Sequence, residues 1–197
     1  MWLKILVMIR YFNIAGPCNR EKHYMIDAFS RLKGVEQLID MEQYFVIHAA
    51  RQSGKTTYLK DLTQRLNESG KYYALYCSLE TIQVVENEEK GIPEIVRGIR
   101  SMLRFSDIPH KETFAENAEY ENYTGVLNTE FSLFCMKLDK PLVVLFDEVD
   151  CLSEGTLISF MRQLRKGYND RCSIPFIHPV ALVGMRNINY QQDYNNS

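Results

Sequence analysis

Two adjacent pairs of side chains far apart in the sequence, Lys55 with Thr56 and Asp147 with Glu148, are of the types that handle a phosphate chain and a divalent cation. The first pair lies in the segment Ala49-Ala50-Arg51-Gln52-Ser53-Gly54-Lys55-Thr56-Thr57, directly behind the apolar run Tyr44-Phe45-Val46-Ile47. That order predicts a strand, a phosphate-binding loop and then a helix. Loop amides and the helix N-terminus can cradle phosphate oxygens, Lys55 can reach the β- and γ-phosphates, and the Thr56 hydroxyl can ligate Mg²⁺. The usual pattern starts with Gly where this chain has Ala49, so the loop entry must use an ordinary backbone conformation. No group that touches phosphate is lost by that change.

About ninety residues later, Pro141-Leu142-Val143-Val144-Leu145-Phe146-Asp147-Glu148 is an apolar run ending in two carboxylates. It suits a strand buried on both faces of a parallel sheet, with its C-terminal tip at a ligand crevice. Asp147 there would hold Mg²⁺, directly or through water, and Glu148, pointing the other way, would orient or deprotonate a water attacking the γ-phosphate. Either segment alone also reads as a core strand with a polar end. Together, in this order, they point to one site.

The elements that must position these groups follow from periodicity. Helical spacing of Leu32, Val35, Leu38 and Ile39 predicts a helix within Ser30 to Met41, ahead of the first core strand. The helix after the loop is expected from about Gly54 to Glu68, stopped by Ser69-Gly70, and the next strand from Tyr72 to Leu79. Glu86 to Gly91 reads as a polar loop and Pro93 as the opening of a helix. Residues 106–122 are polar and acidic without periodicity, the pattern of a mobile surface insertion. Helices at about Thr124 to Leu138 and Gly155 to Tyr168 flank the carboxylate strand, and Pro179 to Gly184 is the last short core strand. A lead-in over 1–41, a core over 42–188 and a disordered polar tail over 189–197 complete the division. Alternating strands and helices predict an α/β fold, a three-layer α/β/α sandwich with a mainly parallel sheet.

Composition narrows the function classes. The 197 residues suffice for one well-cored domain, and a net charge of −2 gives no general attraction to nucleic acid or an anionic membrane. Five scattered cysteines without a C-x-x-C pair argue for reduced thiols and a cytoplasmic setting, against a disulfide framework or zinc. The apolar start, Met1 to Ile9, is too short to span a bilayer and lacks a convincing signal-peptide cleavage site.

On Ala49 to Thr57, Leu142 to Asp150 and Ala181-Leu182-Val183-Gly184-Met185-Arg186, the chain resembles bacterial AAA-like ATPases of the phosphate-loop class with an extra catalytic Glu. Within them it is similar to proteins related to signal-transducing and origin-recognition ATPases. The likeness covers about Phe12 to Asn187, with Phe12 to Cys18 and Arg31 to Asp40 resembling the lead-in that lies against adenine. It implies that the strand ending at Gly184 lies between the loop strand and the Asp147 strand, with Arg186, or else Asn187, sensing the γ-phosphate. It also implies that Ser78 or Glu80 contacts Glu148 or its water. Nothing after Asn187 resembles the fifth strand, helical lid or second sensor arginine of relatives, as if the domain were truncated. The loop strand would then be a bare apolar edge, coverable only by Leu3 to Phe12, and the chain is expected to self-associate and turn ATP over weakly. Arg162, Arg165, Lys166 and Arg171 could supply a finger to a neighbouring subunit, and Arg97, Arg100 and Arg104 could track a phosphate backbone, but solvated basic faces explain both sets.

The reading is an ATP-binding, Mg²⁺-dependent ATPase whose output is a conformational switch, acting with a protein partner or with itself. The alternatives are a nucleotide-operated regulatory module or remnant with little hydrolysis, and a phosphate-loop kinase, against which the water-activating Glu148 argues.

Overall fold

The computed structural model describes residues 10–14, 16, 18, 21–24, 34–48, 53–82, 85 and 87–184, the side chains of 179–184 excepted. Ala49 to Gln52, Arg186, Asn187, the first nine residues and the tail lie outside the described residues. Four strands, β1 (Phe45–His48), β2 (Tyr73–Ser78), β3 (Leu142–Asp147) and β4 (His178–Gly184), form one parallel sheet in the order β1-β4-β3-β2. The chain therefore crosses from the loop strand to the far edge and returns inward, and the last strand takes the place beside β1 that the resemblance implied.

Strand alternation divides the core. Leu142, Val144 and Phe146 of β3, with Leu75 and Cys77 of β2, pack with α3 (Glu88–Arg104), α4 (Val126–Cys135) and α5 (Glu154–Asp170). Val143 and Leu145, with Ala74 and Ile47, pack with α1 (Val35–Asp40) and α2 (Lys55–Glu68). All six residues of β3 are buried, as an apolar run serving both faces requires. β1 ends the sheet among the described residues, with Val46 exposed. Of Leu3 to Phe12, the segment expected to cover it, only residues 10–12 are described, and there Tyr11 bridges His23.

Two expectations are corrected. Pro93 does not open α3. The helix starts at Glu88 because the Asn87 carboxamide oxygen accepts the Lys90 N–H at 3.2 Å, turning the presumed polar loop into a capped first turn. Pro93 then lies in the second turn, buried beside Gly91, where a Cβ would come within 2.3 Å of the Thr156 hydroxyl of α5. The segment 106–122, expected to be a mobile surface insertion, is anchored in the core by Ile108, Phe114 and Ala115. Phe114 packs on Phe131 and Phe134 of α4 at 5.5 and 5.6 Å between ring centres. Ala115 holds a left-handed φ of 52° between two clamps: its N–H donates to Glu130 at 3.0 Å and its carbonyl accepts from Arg100 at 2.9 Å. Turns, not a repeating element, set the spacing of these apolar residues, so no periodicity announces them.

The buried Gln163 of α5 stitches α4 in place. Its Oε1 accepts from the N–H groups of Leu127 and Asn128 at 2.9 and 3.2 Å, and its Nε2 donates to the Tyr123 carbonyl at 2.8 Å. It satisfies helix-start donors from a neighbouring helix, since Gly125 at the cap position has no side chain to do so. Gln163→Ala should therefore lower unfolding stability by about 2–4 kcal/mol, because buried donors lose their acceptor. Chemical denaturation of the purified variant measures this, and a loss within experimental error of zero would show that α4 is held otherwise.

Candidate functional site

Gly54 immediately precedes α2 in a left-handed conformation, φ 86°, and its carbonyl accepts the Tyr58 N–H at 2.9 Å. A side chain there would be strained by the backbone alone, which explains Gly at this position. The first amides of α2, including those of Lys55 and Thr56, lie ahead of the first intrahelical bond, which Tyr58 makes, and form the positive end of the helix.

Thr56 meets the carboxylate strand. Its hydroxyl donates to Asp147 Oδ2 at 2.7 Å, joining residues 91 positions apart. The same oxygen accepts from the Tyr76 phenol of β2 at 3.0 Å, and Asp147 Oδ1 accepts the Glu148 N–H at 3.0 Å. Asp147 is only 1% exposed, so these three donors are what make a carboxylate tolerable there. Burial, then the charge of Asp147, pushes the Tyr76 phenol pKa well up and keeps it a donor.

Glu148 does not continue the strand. It leaves β3 in a left-handed conformation, φ 56° and ψ 38°, a costly state for a residue with a side chain, and starts the 3-10 turn Val149–Cys151. Its carboxyl pKa is raised, first by burial and then by Asp147 and Asp150, with Glu80 adding to the shift and Lys55 opposing it. Lys55 and Glu148 thus feel each other across the site. Glu80, at the start of the turn Glu80–Ile82, reaches Glu148 only as a like charge. Ser78, directly opposite Asp147 in the sheet, accepts the Glu80 N–H at 3.4 Å and does not bond Glu148.

The lead-in also touches this region: the Cys18 N–H donates to the Thr57 hydroxyl at 3.1 Å. Sequence reasoning missed this contact and the Tyr76 bond. Alternation along Tyr72 to Ser78 puts Tyr76 on one face with Ala74, but only the pairing register with β3 reveals that this is the Asp147 face. Ala49 to Gln52 and Arg186 were expected at the site and lie outside the described residues. Of the basic candidates, Arg171 packs on Tyr168 at 3.8 Å and pairs with Glu42, Lys166 pairs with Asp170, Arg97 pairs with Glu94, and Arg100 serves Ala115. A groove of about 610 Å³ lined by Lys90, Arg97 and Tyr120, among others, includes none of the residues gathered around Asp147.

Among the described residues no three His, Cys, Asp or Glu side chains converge as a metal centre. A Thr hydroxyl beside one buried Asp instead fits a hard cation such as Mg²⁺, which keeps water and takes phosphate oxygens for its remaining ligands. Among the described residues, Asp147, Asp150, Glu80 and Lys55 are the charged groups that act on Glu148.

The raised Glu148 pKa gives a signed prediction for the ligand-free protein. A carboxyl whose pKa is higher folded than unfolded favours folding below its unfolded pKa, and that contribution is lost as pH rises through the folded value. Glu148→Gln should therefore be more stable than the parent at neutral pH, with the advantage fading as pH falls into the ordinary carboxylate range. Denaturant unfolding in chelator across that range tests it; a constant or inverted difference would contradict the local electrostatics.

No described protein family and no curated protein matches the sequence. Among solved structures the fold is similar to a Walker-type ATPase of Pyrococcus abyssi, with a TM-score of 0.53 and 15% identity over 87% of this chain. The match spans 48% of that protein, so this chain corresponds to about half of its length. At such identity the likeness carries the fold, an α/β arrangement with a parallel sheet like that of a Walker-type ATPase, and neither a particular family nor a bacterial origin.

Proposed function

We propose that this chain is an AAA-like phosphate-loop ATPase that binds ATP with Mg²⁺ where α2 meets the tip of β3, and hydrolyses it slowly to drive a conformational change. The observation that carries the reading is the 2.7 Å bond from Thr56 to Asp147, which unites the two motif halves at the positive end of a helix. The Walker-type fold of the structural neighbour supports it.

In this reading Ala49 to Thr57 wrap the phosphates, with Lys55 on the β- and γ-phosphates. Thr56 and Asp147 hold Mg²⁺, whose chemistry is to neutralise and orient the phosphate oxygens. Glu148 takes the proton of the attacking water, its raised pKa bringing it nearer the working pH. Arg186 comes two residues after β4 in the sequence, and the place of β4 between the strands that carry the loop and Asp147 supports assigning it as the γ-phosphate sensor. A partner, a second copy or a further segment would receive the conformational output. A three-layer core with helices on both sheet faces is the architecture that goes with this reading.

Lys55→Ala should abolish triphosphate binding while the fold persists, since Lys55 is not one of the buried core residues. Calorimetry with a non-hydrolysable ATP analogue on the folded variant decides this, and unchanged affinity would remove the loop from consideration. Glu148→Gln should keep Mg²⁺-dependent binding yet reduce turnover by about 10²-fold or more, whereas Asp147→Asn should chiefly lose the contribution of Mg²⁺ to affinity. Identical behaviour of the two variants in metal-dependent binding and phosphate release would contradict the division of roles.

A further inference from the structure

Tyr76 belongs to neither motif, yet its phenol shares Asp147 Oδ2 with Thr56. A carboxylate offers about four acceptor directions. Among the described residues Thr56 and Tyr76 take those of Oδ2 and the Glu148 amide takes one of Oδ1, which leaves one direction on Oδ1 for a cation or its water. Thr56 can release Asp147 when its own oxygen turns to a metal, and the Glu148 amide is tied to the left-handed turn. Tyr76 is the donor that comes from outside both motif segments, on a different strand. Its ring is held in turn by Lys60 of α2, whose ammonium lies 5.2 Å from the ring centre.

The geometry is one that only a long aromatic donor supplies. Tyr76 is paired with Leu145, two residues before Asp147, so its hydroxyl must span one same-face step of the strand, roughly 6.5 Å. Ser78 is opposite Asp147 but is too short to do the same, and its hydroxyl accepts the Glu80 N–H instead.

We propose that Tyr76 is a positioning residue for the metal half of the nucleotide site, fixing the Asp147 carboxylate so that its one open acceptor direction faces the cation. This rests on the Mg²⁺-nucleotide reading above. Without the phenol the carboxylate can rotate about its last bond, and an outer partner that orients a ligand typically governs metal affinity by an order of magnitude.

The test uses the full chain and equilibrium binding of a non-hydrolysable ATP analogue, with Mg²⁺ titrated and with chelator present. Tyr76→Phe should raise the Mg²⁺ concentration needed for half-maximal tight binding by about tenfold and leave the metal-free affinity unchanged. Asp147→Asn serves as the reference for the site. A Tyr76→Phe titration matching the parent, while Asp147→Asn shifts it, would overturn the role of Tyr76 and leave the site standing. Equal losses with and without Mg²⁺ would make Tyr76 a packing residue and overturn it too. Nucleotide binding indifferent to Mg²⁺ in parent and Asp147→Asn alike would remove the underlying site.

Discussion

A carboxylate at the buried end of a strand is the constraint around which this structure is arranged. Asp147 is almost wholly out of water, and an ionised group in that position is tolerable only with donors on its oxygens. Three elements supply them: the first turn of α2, the middle of β2 and the backbone of the turn after β3. Each must arrive in register. Slipping β2 by one residue would turn Tyr76 to the opposite face, and lengthening the entry to α2 would withdraw Thr56. Placing Asp147 thus fixes the relation of the helix, the strands and the loop ahead of them.

The rest of the fold keeps that tip rigid. β3 is covered on both faces, by α2 on the Asp147 side and by α3 to α5 on the other. On the second face the contacts are close and polar where helices begin: Gln163 bonds the start of α4, and Gly91 lets Thr156 approach α3. Gly167 likewise admits Phe176, which a Cβ would meet at 2.3 Å. Glu148 is strained, with a left-handed backbone and a carboxyl crowded by like charges.

The sequence displayed the parts of this arrangement whose physics is local. An apolar run long enough for a two-faced strand located β3, and the loop motif located α2, within a residue of where each begins. The β4 position beside β1 came from family likeness, since crossover order is not written in periodicity. What stayed hidden depends on pairing across the chain. Tyr76 looks like an ordinary strand aromatic until register sets it against Asp147, and the thinly spaced Ile108, Phe114 and Ala115 look like a surface segment until Arg100 and Glu130 close on them. Pro93 misled because its preference for a first turn was outweighed by the Asn87 cap upstream, which starts the helix at Glu88.

That Thr56 and Asp147 form one nucleotide site, and not merely a structural hydrogen bond, is most directly tested by hydrogen–deuterium exchange on the unmodified chain, with and without Mg²⁺ and a non-hydrolysable ATP analogue. The account predicts that amides over 53–58 and over 147–149 become protected together, and only when both Mg²⁺ and nucleotide are present. Protection of one segment without the other, or of neither under saturating ligand, would contradict it.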